Sequence, residues 1–194
     1  MAKLKFYYGT MGAGKTTEAL KTFEIYRRKG RNPLIIKPTT DDREGKYSGW
    51  GLIKSRLIPE QRPCFYVDNV MNQLYNSAPQ PYGVLIVDEV QFFKPNDIIS
   101  LSSIVDYRDI DVICYGLKTD CRGKLFDGAA QLLAIADETK ELDNLCDICG
   151  KENANMHLRY VNGEIDYEPE SIKVEKGNVK YKSVCRKCFT KEMI

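Results

Sequence analysis

The chain has 194 residues, of which 43% are hydrophobic and 29% are charged, a balance typical of globular proteins with an apolar core. Twenty-nine basic residues against 27 acidic ones leave a net charge of +2, which removes any electrostatic argument for binding nucleic acid or a membrane. No apolar run is long enough for a transmembrane helix, and residues 1–5 lack the apolar core of a signal peptide. We therefore expect a cytoplasmic protein, in which disulfides are rare and seven cysteines need another explanation.

A glycine-rich loop lies close to the N-terminus. Its residues are Gly9, Thr10, Met11, Gly12, Ala13, Gly14, Lys15 and Thr16. They have the G-x-x-x-x-G-K-[ST] spacing of a phosphate-binding loop, between a strand pattern at residues 4–8 and a helical pattern that ends near Lys29. In such a loop the backbone N–H groups surround phosphates, Lys15 reaches the β- and γ-phosphates, and the Thr16 hydroxyl binds Mg²⁺. A plain glycine-rich turn is the alternative, but the flanking pattern favours a nucleoside triphosphate site.

The next segment combines a short strand with polar, weakly periodic sequence. Residues 33–38 predict a buried strand that Pro38 closes. Arg43 follows at the carboxyl end of this strand, either as a solvated surface charge or as an anion contact near the phosphates. Residues 46–63 contain Trp50 and are rich in glycine, serine and basic residues, which predicts a mobile loop. A modest helix is expected around residues 70–74.

Two adjacent carboxylates follow a strongly apolar run. Residues 83–87 predict a central parallel strand, and Asp88 at its tip is placed to hold Mg²⁺ directly or through water. Since successive strand side chains alternate, Glu89 is expected to point toward a substrate hydroxyl instead. We expect this strand to neighbour the strand that precedes the loop. Two solvated acids that merely end a strand are the alternative.

The remainder of the first 141 residues continues this alternation. A helical pattern at residues 95–105 precedes a buried strand at 111–117, a polar loop at 118–126 and a helical pattern around 132–136. Strands that alternate with helices predict a parallel sheet covered by helices on both faces.

The composition changes at about Leu142, which divides the chain into residues 1–141 and 142–194. Two C-x-x-C pairs follow, Cys146 with Cys149 and Cys185 with Cys188. Four thiolates in a reducing compartment form the tetrahedral ligand set that structural Zn²⁺ prefers, although a redox dithiol or incidental thiols are alternatives. Between the pairs, an Asn-Gly turn at residues 162–163 predicts a hairpin. The single histidine, His157, is expected to be structural and not a fifth metal ligand, while the other three cysteines are interpreted as packing or loop residues.

Together these motifs resemble the type II thymidine kinases. The phosphate loop is shared by many nucleotide enzymes, whereas the D-E-x-Q-F-F run at residues 88–93 followed by the two cysteine pairs is specific. The resemblance spans nearly the whole chain. It implies a RecA-like phosphate-loop α/β fold for residues 1–141 and a small zinc-ribbon-like "lasso" unit for residues 142–194. The chain differs from the family pattern at Cys121, at residues 175–177 and at His157.

The resemblance implies a role for each matching residue. Glu89 matches the catalytic base, which takes the proton from the nucleoside 5′-hydroxyl. Asp88 and Gln91 match residues of the nucleotide site, together with the phosphate loop. The residues that match substrate contacts are Met11, Arg43, Phe92, Leu117, Phe126, Val174, Gly177 and Tyr181. The expected activity is transfer of the ATP γ-phosphate to thymidine or deoxyuridine, with Mg²⁺ and a structural Zn²⁺.

The resemblance also implies a homotetramer that is inhibited by thymidine triphosphate. From the near-neutral charge we expect no nucleic-acid or membrane partner. Two other functions fit parts of the sequence. A DNA-stimulated ATPase with a zinc-containing nucleic-acid module is one, and the near-neutral charge counts against it. A nucleotide-binding regulator without catalysis is the other. Lys15, Thr16, Asp88 and Glu89 count against it, because a protein that only binds has no use for a base.

Overall fold

A central β-sheet carries the strands that the apolar runs predict. The structure is a computed structural model that describes residues 1–39, 49–75, 81–167 and 178–193. The strands are β1 (Leu4–Tyr8), β2 (Pro33–Pro38), β3 (Gly49–Lys54), β4 (Gln61–Val67), β5 (Val84–Val87), β6 (Asp111–Gly116) and β7 (Glu138–Glu141). Within the described ranges they form one sheet in the order β3-β4-β2-β5-β6-β1-β7. The pair β3–β4 is antiparallel, and the other adjacent pairs are parallel.

Helices cover both faces of this sheet. They are α1 (Lys15–Arg28), α2 (Pro95–Arg108) and α3 (Asp127–Ile135). α1 packs on the face that contains Ile35 and Ile86, whereas α2 and α3 pack on the opposite face, which contains Leu34 and Leu85. Because neighbouring residues of a strand point to opposite faces and both faces are covered, the central strand β5 is apolar throughout. The predicted mixed α/β fold, a mostly parallel sheet flanked by helices, is confirmed.

A smaller sheet follows the seventh strand of the large one. Its strands are β8 (Met156–Val161), β9 (Glu164–Ile165) and β10 (Val179–Val184), and helix α4 (Arg186–Met193) ends the described part of the chain. β8 and β9 form the predicted hairpin, in which Asn162 and Gly163 have φ angles of 53° and 92°. Positive φ at both turn residues matches the right-handed twist of the strands, which is why Asn-Gly predicts this turn.

The segment that was predicted to be a mobile loop is largely a hairpin. Residues 46–48 lie outside the described residues, but β3 and the first residues of β4 occupy much of the rest. Trp50 packs edge-on against Phe65 across this hairpin, with ring centroids 5.5 Å apart. The prediction was wrong because glycine and charged residues weaken the local pattern, while the pairing of β4 with β2 is a tertiary contact.

Two further features differ from the sequence-based expectations. The modest helix near residue 70 is a single π-helical turn, Met71–Tyr75. The strand that carries the acids, β5, is not the immediate neighbour of β1, because β6 lies between them. The loop after β1 and the acids after β5 therefore face each other across one strand.

No helix within the described ranges combines the length and the apolar character needed to cross a bilayer.

Candidate active site

The phosphate loop connects β1 to α1, as predicted. Gly12 and Gly14 have φ angles of 85° and 76°, a region in which any side chain is strained. Gly14 precedes the first turn of α1, which has no side-chain cap, so backbone N–H groups at this helix end are available to an anion. The Lys15 ammonium donates hydrogen bonds to the carbonyl oxygens of Gly9 and Thr10, at 3.0 and 2.7 Å. The loop thus has the backbone conformation and the cation of a phosphate site.

Asp88 meets this loop at the carboxyl edge of the sheet. The Thr16 hydroxyl donates a hydrogen bond to Asp88 Oδ2 at 3.2 Å. Asp88 is only 2% exposed, and burial, with the neighbouring Glu89 charge, raises its pKa above the usual value, while Lys37 and Lys15 oppose the shift. A hydroxyl and a buried carboxylate with a raised pKa form an oxygen-donor set that a hard divalent cation would stabilise. These two side chains therefore fit Mg²⁺.

Lys37 is a buried basic residue that sequence reasoning did not single out. It lies on β2, is 6% exposed, and places its ammonium 5.9 Å from the centre of the Tyr66 ring. Its charge lowers the pKa of Asp88. The signal in the sequence was a lysine inside the apolar run of residues 34–38, where a charge is costly unless it has a partner.

Glu89 is held by a backbone turn and by Gln91. Glu89 has φ 55° and ψ 38°, the left-handed conformation that a non-glycine residue adopts at a cost. The strand ends before it, at Val87, so this turn and not strand alternation sets its direction. Gln91 donates from Nε2 to Glu89 Oε2 at 2.7 Å and accepts the Leu117 N–H through Oε1 at 3.0 Å. Gln91, which was predicted to line the nucleotide site, thus connects Glu89 to Leu117, the residue that follows β6, and orients the Glu89 carboxylate.

Gly116 makes room for this arrangement. A Cβ atom on Gly116 would lie 2.6 Å from Gln91 Oε1 and 2.8 Å from Val90 Cγ1. Both distances are shorter than van der Waals contact, so residue 116 must be glycine for Gln91 to reach Leu117. Of the predicted nucleoside contacts, the rings of Phe92 and Phe126 meet edge to face with centroids 6.2 Å apart.

The structure describes only some of the remaining predicted substrate residues. Tyr181 lies on β10, opposite Arg159 of β8. Met11 contacts the C-terminal segment through its backbone, since its N–H donates to His157 Nε2 at 2.9 Å. The buried position of His157 agrees with the structural role expected for it, but its bond to the loop leaves no signal in the sequence. Three further predicted positions, Arg43, Val174 and Gly177, lie outside the described residues.

The two cysteine pairs form one cluster. Their four sulfur atoms lie within 4.8 Å of one another. Zinc with four thiolates at about 2.3 Å in a tetrahedron requires sulfur atoms about 3.8 Å apart, so the cluster fits this ion. Burial opposes ionisation of Cys146, but backbone N–H groups, including those of Cys149 and Cys185, lower its pKa to about 6. A thiolate is the form that binds a metal.

The second pair is placed by contacts with the first. Asp147 accepts the Ser183 N–H at 2.7 Å through its carboxylate, and its own N–H donates to the Ser183 carbonyl at 2.8 Å. These bonds join the first knuckle to the strand that leads into Cys185. His157 is not part of the cluster. Of the other cysteines, Cys64 and Cys114 are fully buried in the large sheet, as the packing interpretation predicted.

A phosphate loop, a buried carboxyl group bonded to it and an oriented carboxylate at one sheet edge are typical of the class of phosphate-loop phosphotransferases. Comparison with known proteins specifies the class further. The sequence profile of the thymidine kinase family matches residues 2–189. The thymidine kinase of Shewanella oneidensis is 40% identical over 193 residues, with 97% of both chains covered. The thymidine kinases of Rhodopirellula baltica and Streptococcus gordonii are 40% and 36% identical, covering 97% and 98% of this chain and 88% and 97% of their own. The chain belongs to the thymidine kinase family.

Proposed function

We propose that the chain transfers the γ-phosphoryl group of ATP to the 5′-hydroxyl of thymidine or deoxyuridine. Family membership supports thymidine as the substrate and a kinase reaction. The roles proposed for individual residues rest on one observation: the residues assigned to the phosphate donor and those assigned to the phosphate acceptor lie at the same edge of the large sheet. Thr16 bonds to Asp88 at 3.2 Å, and the next residue, Glu89, is oriented by Gln91 at 2.7 Å.

The phosphate loop and Asp88 form the donor half of the site. Residues 9–16 would bind the ATP phosphates through backbone N–H groups, while Lys15 offsets charge that develops on the transferred phosphoryl group. Thr16 and Asp88 would hold Mg²⁺, which when bound neutralises charge on the β- and γ-phosphoryl oxygens. Phosphoryl transfer has a loose transition state, so positioning and charge contribute more than deprotonation.

Glu89 belongs to the acceptor half of the site, which binds the nucleoside that receives the phosphoryl group. It would orient the attacking hydroxyl and accept its proton, a contribution of roughly 10²–10⁴-fold in rate. The nucleoside pocket is assigned to the eight residues that match the family. Of these, Phe92 and Phe126 already form an aromatic pair, and Leu117 is bonded through its N–H to Gln91. Such a pair offers a π surface to a flat base. Arg43, Val174 and Gly177 enter this assignment from the sequence alone.

Residues 142–194 would form a separate zinc-binding unit after the kinase unit of residues 1–141. The large sheet ends at Glu141, and the small sheet starts at Met156, which supports this division. The four cysteines would hold Zn²⁺ and anchor the loop between the knuckles over the nucleoside, where it excludes water as a competing acceptor.

We propose further properties of the chain on the basis of its family and its thiols. We propose that the chain forms a homotetramer and that thymidine triphosphate inhibits it by binding at the nucleoside site. We expect no nucleic-acid or membrane partner. We also propose a cytoplasmic location, in which the four clustered thiols would stay reduced and available to a metal.

A nucleoside panel tests the proposed function. The purified chain is assayed for phosphate transfer from ATP to thymidine, deoxyuridine, deoxycytidine and deoxyguanosine, with and without Mg²⁺. Transfer to the two uracil-type bases that requires Mg²⁺ supports the proposal. No thymidine phosphate, together with ATP hydrolysis that increases when DNA is added, would instead support the ATPase alternative, which no observation on this structure favours.

A further inference from the structure

The backbone of Met11 is bonded on both sides by side chains of the C-terminal segment. Its N–H donates to His157 Nε2 at 2.9 Å. Its carbonyl oxygen accepts the Ser183 hydroxyl at 2.6 Å and the Asn144 amide at 3.0 Å. The same Asn144 amide group also donates to Thr10 Oγ1 at 2.9 Å. We call the three side chains Asn144, His157 and Ser183 the Met11 clamp.

The small sheet and the two knuckles hold the clamp residues. His157 and Ser183 are 4% and 3% exposed and stand opposite each other in the β8–β10 pair. Asn144 and Ser183 each precede the first cysteine of a knuckle by two residues. The small sheet and the cysteine cluster therefore set the position of all three side chains, and through them the position of the two peptide groups that flank the Met11 Cα atom.

The chemistry of His157 suits this role. Its Nε2 atom accepts a hydrogen bond, so the ring is neutral and carries its proton on Nδ1. Burial, with the charge of Lys15, lowers the pKa of His157 to about 4, while Asp120 opposes this shift. Because the Met11 N–H donates to the neutral His157 ring, it does not bind phosphate. Other amides of the loop, where Gly12 and Gly14 have positive φ angles, would bind phosphate instead.

We propose that the Met11 clamp positions the phosphate loop for ATP, so that the C-terminal unit acts on the donor half of the site as well as on the nucleoside half. This inference rests on the proposed role of residues 9–16 as the ATP site. A glycine-rich loop has many accessible conformations, and each clamp bond selects the one in which the Met11 backbone is bonded to the C-terminal segment.

The test compares two substitutions of one residue. His157→Leu keeps the approximate size of the side chain but removes the acceptor, whereas His157→Gln offers a carbonyl oxygen to the Met11 N–H. One net hydrogen bond corresponds to about a twofold to tenfold effect on an equilibrium. We expect the KM for ATP to rise by that factor in His157→Leu, with a smaller change in the KM for thymidine, and to return toward the wild-type value in His157→Gln. Thr190→Ala, which removes an exposed hydroxyl bond in α4, is the control and should change neither constant.

Ser183→Ala gives a second measurement that does not alter His157. It removes only the hydroxyl that bonds the Met11 carbonyl, so the KM for ATP should again rise. Because both side chains hold the backbone of the same residue, Met11, the effects of His157→Leu and Ser183→Ala should not add in the double variant. If His157→Leu fails to fold, a folded Ser183→Ala decides the matter alone.

Two results would overturn the clamp. One is a folded His157→Leu or Ser183→Ala enzyme with the wild-type KM for ATP. The other is equal impairment of the leucine and glutamine variants, which would show that His157 acts by packing. A wild-type chain that transfers no phosphate from ATP to thymidine would refute the proposed function itself, whereas an active wild type with unaffected variants would refute the clamp only.

Discussion

Substituting Glu89 by glutamine isolates proton acceptance from binding. The side chain keeps nearly the same shape, and its amide oxygen can still accept the Gln91 Nε2–H that now lies 2.7 Å from Glu89 Oε2. The left-handed backbone turn at φ 55° is equally available to either residue. We therefore expect Glu89→Gln to fold and to keep its affinity for ATP and thymidine.

The expected loss in turnover follows from the role of the base. Removal of a positioned general base lowers rates by roughly 10²–10⁴-fold, which corresponds to about 3–5 kcal/mol of transition-state stabilisation. The substitution also removes the negative charge that raises the Asp88 pKa, so Asp88 should hold a cation at least as well as before. Hence kcat should fall while the KM values change by less than about threefold.

The assay combines initial rates with direct binding. Thymidine phosphate formation is measured at saturating ATP and thymidine, and the affinities for thymidine and a non-hydrolysable ATP analogue are measured by calorimetry. Glu60→Gln removes a carboxylate outside the site and serves as the matched control. A Glu89→Gln enzyme with kcat within tenfold of the wild type would show that Glu89 is not the base. A loss of binding as large as the loss of kcat would show instead that it mainly maintains the site.

Three further predictions concern packing, metal and pH. Gly116→Ala should lower the free energy of unfolding by about 1–3 kcal/mol and reduce kcat, because its Cβ would lie 2.6 Å from Gln91 Oε1; thermal melts and rates measure both effects. Cys185→Ser should reduce bound zinc, determined by elemental analysis, and weaken thymidine binding, since it removes one of four clustered ligands. The His157 pKa of about 4 lies below its unfolded value of 6.5, so the unfolded state binds the proton first as pH falls. Stability relative to His157→Gln should be constant above about pH 6.5 and decrease by about 2 kcal/mol between pH 7 and pH 5.

Each of these predictions has a control and a contradicting result. Gly83→Ala adds a Cβ whose nearest neighbour is 3.6 Å away, so it should melt like the wild type. Cys121→Ser should retain the metal, because this thiol is outside the cluster. Full zinc content in Cys185→Ser, or an active wild type without zinc, would remove the metal hypothesis. A wild type and a His157→Gln variant whose stabilities change in parallel from pH 7 to pH 5 would contradict the depressed pKa of His157.

Patterns that depend on near neighbours in the chain were predicted well. The phosphate loop, the apolar strands and the Asn-Gly hairpin each lie within a short window of sequence, where glycine conformations and side-chain alternation act directly. The predicted strand at residues 33–38 corresponds to β2 to the residue. The β3–β4 hairpin was missed because its stability comes from pairing with β2 and from the Trp50–Phe65 contact.

The sequence by itself determined the chemistry available to this protein: a phosphate loop with lysine and threonine, two adjacent acids and four thiols with metal-ligand spacing. The tertiary structure alone decided how these groups are oriented. Strand β6 separates the loop strand from the acid strand, and Gln91 connects Glu89 to Leu117. The Met11 clamp joins residues 146 and 172 positions apart. Contacts over such separations leave no periodic trace in sequence, because they depend on where whole elements pack and not on local conformational preference.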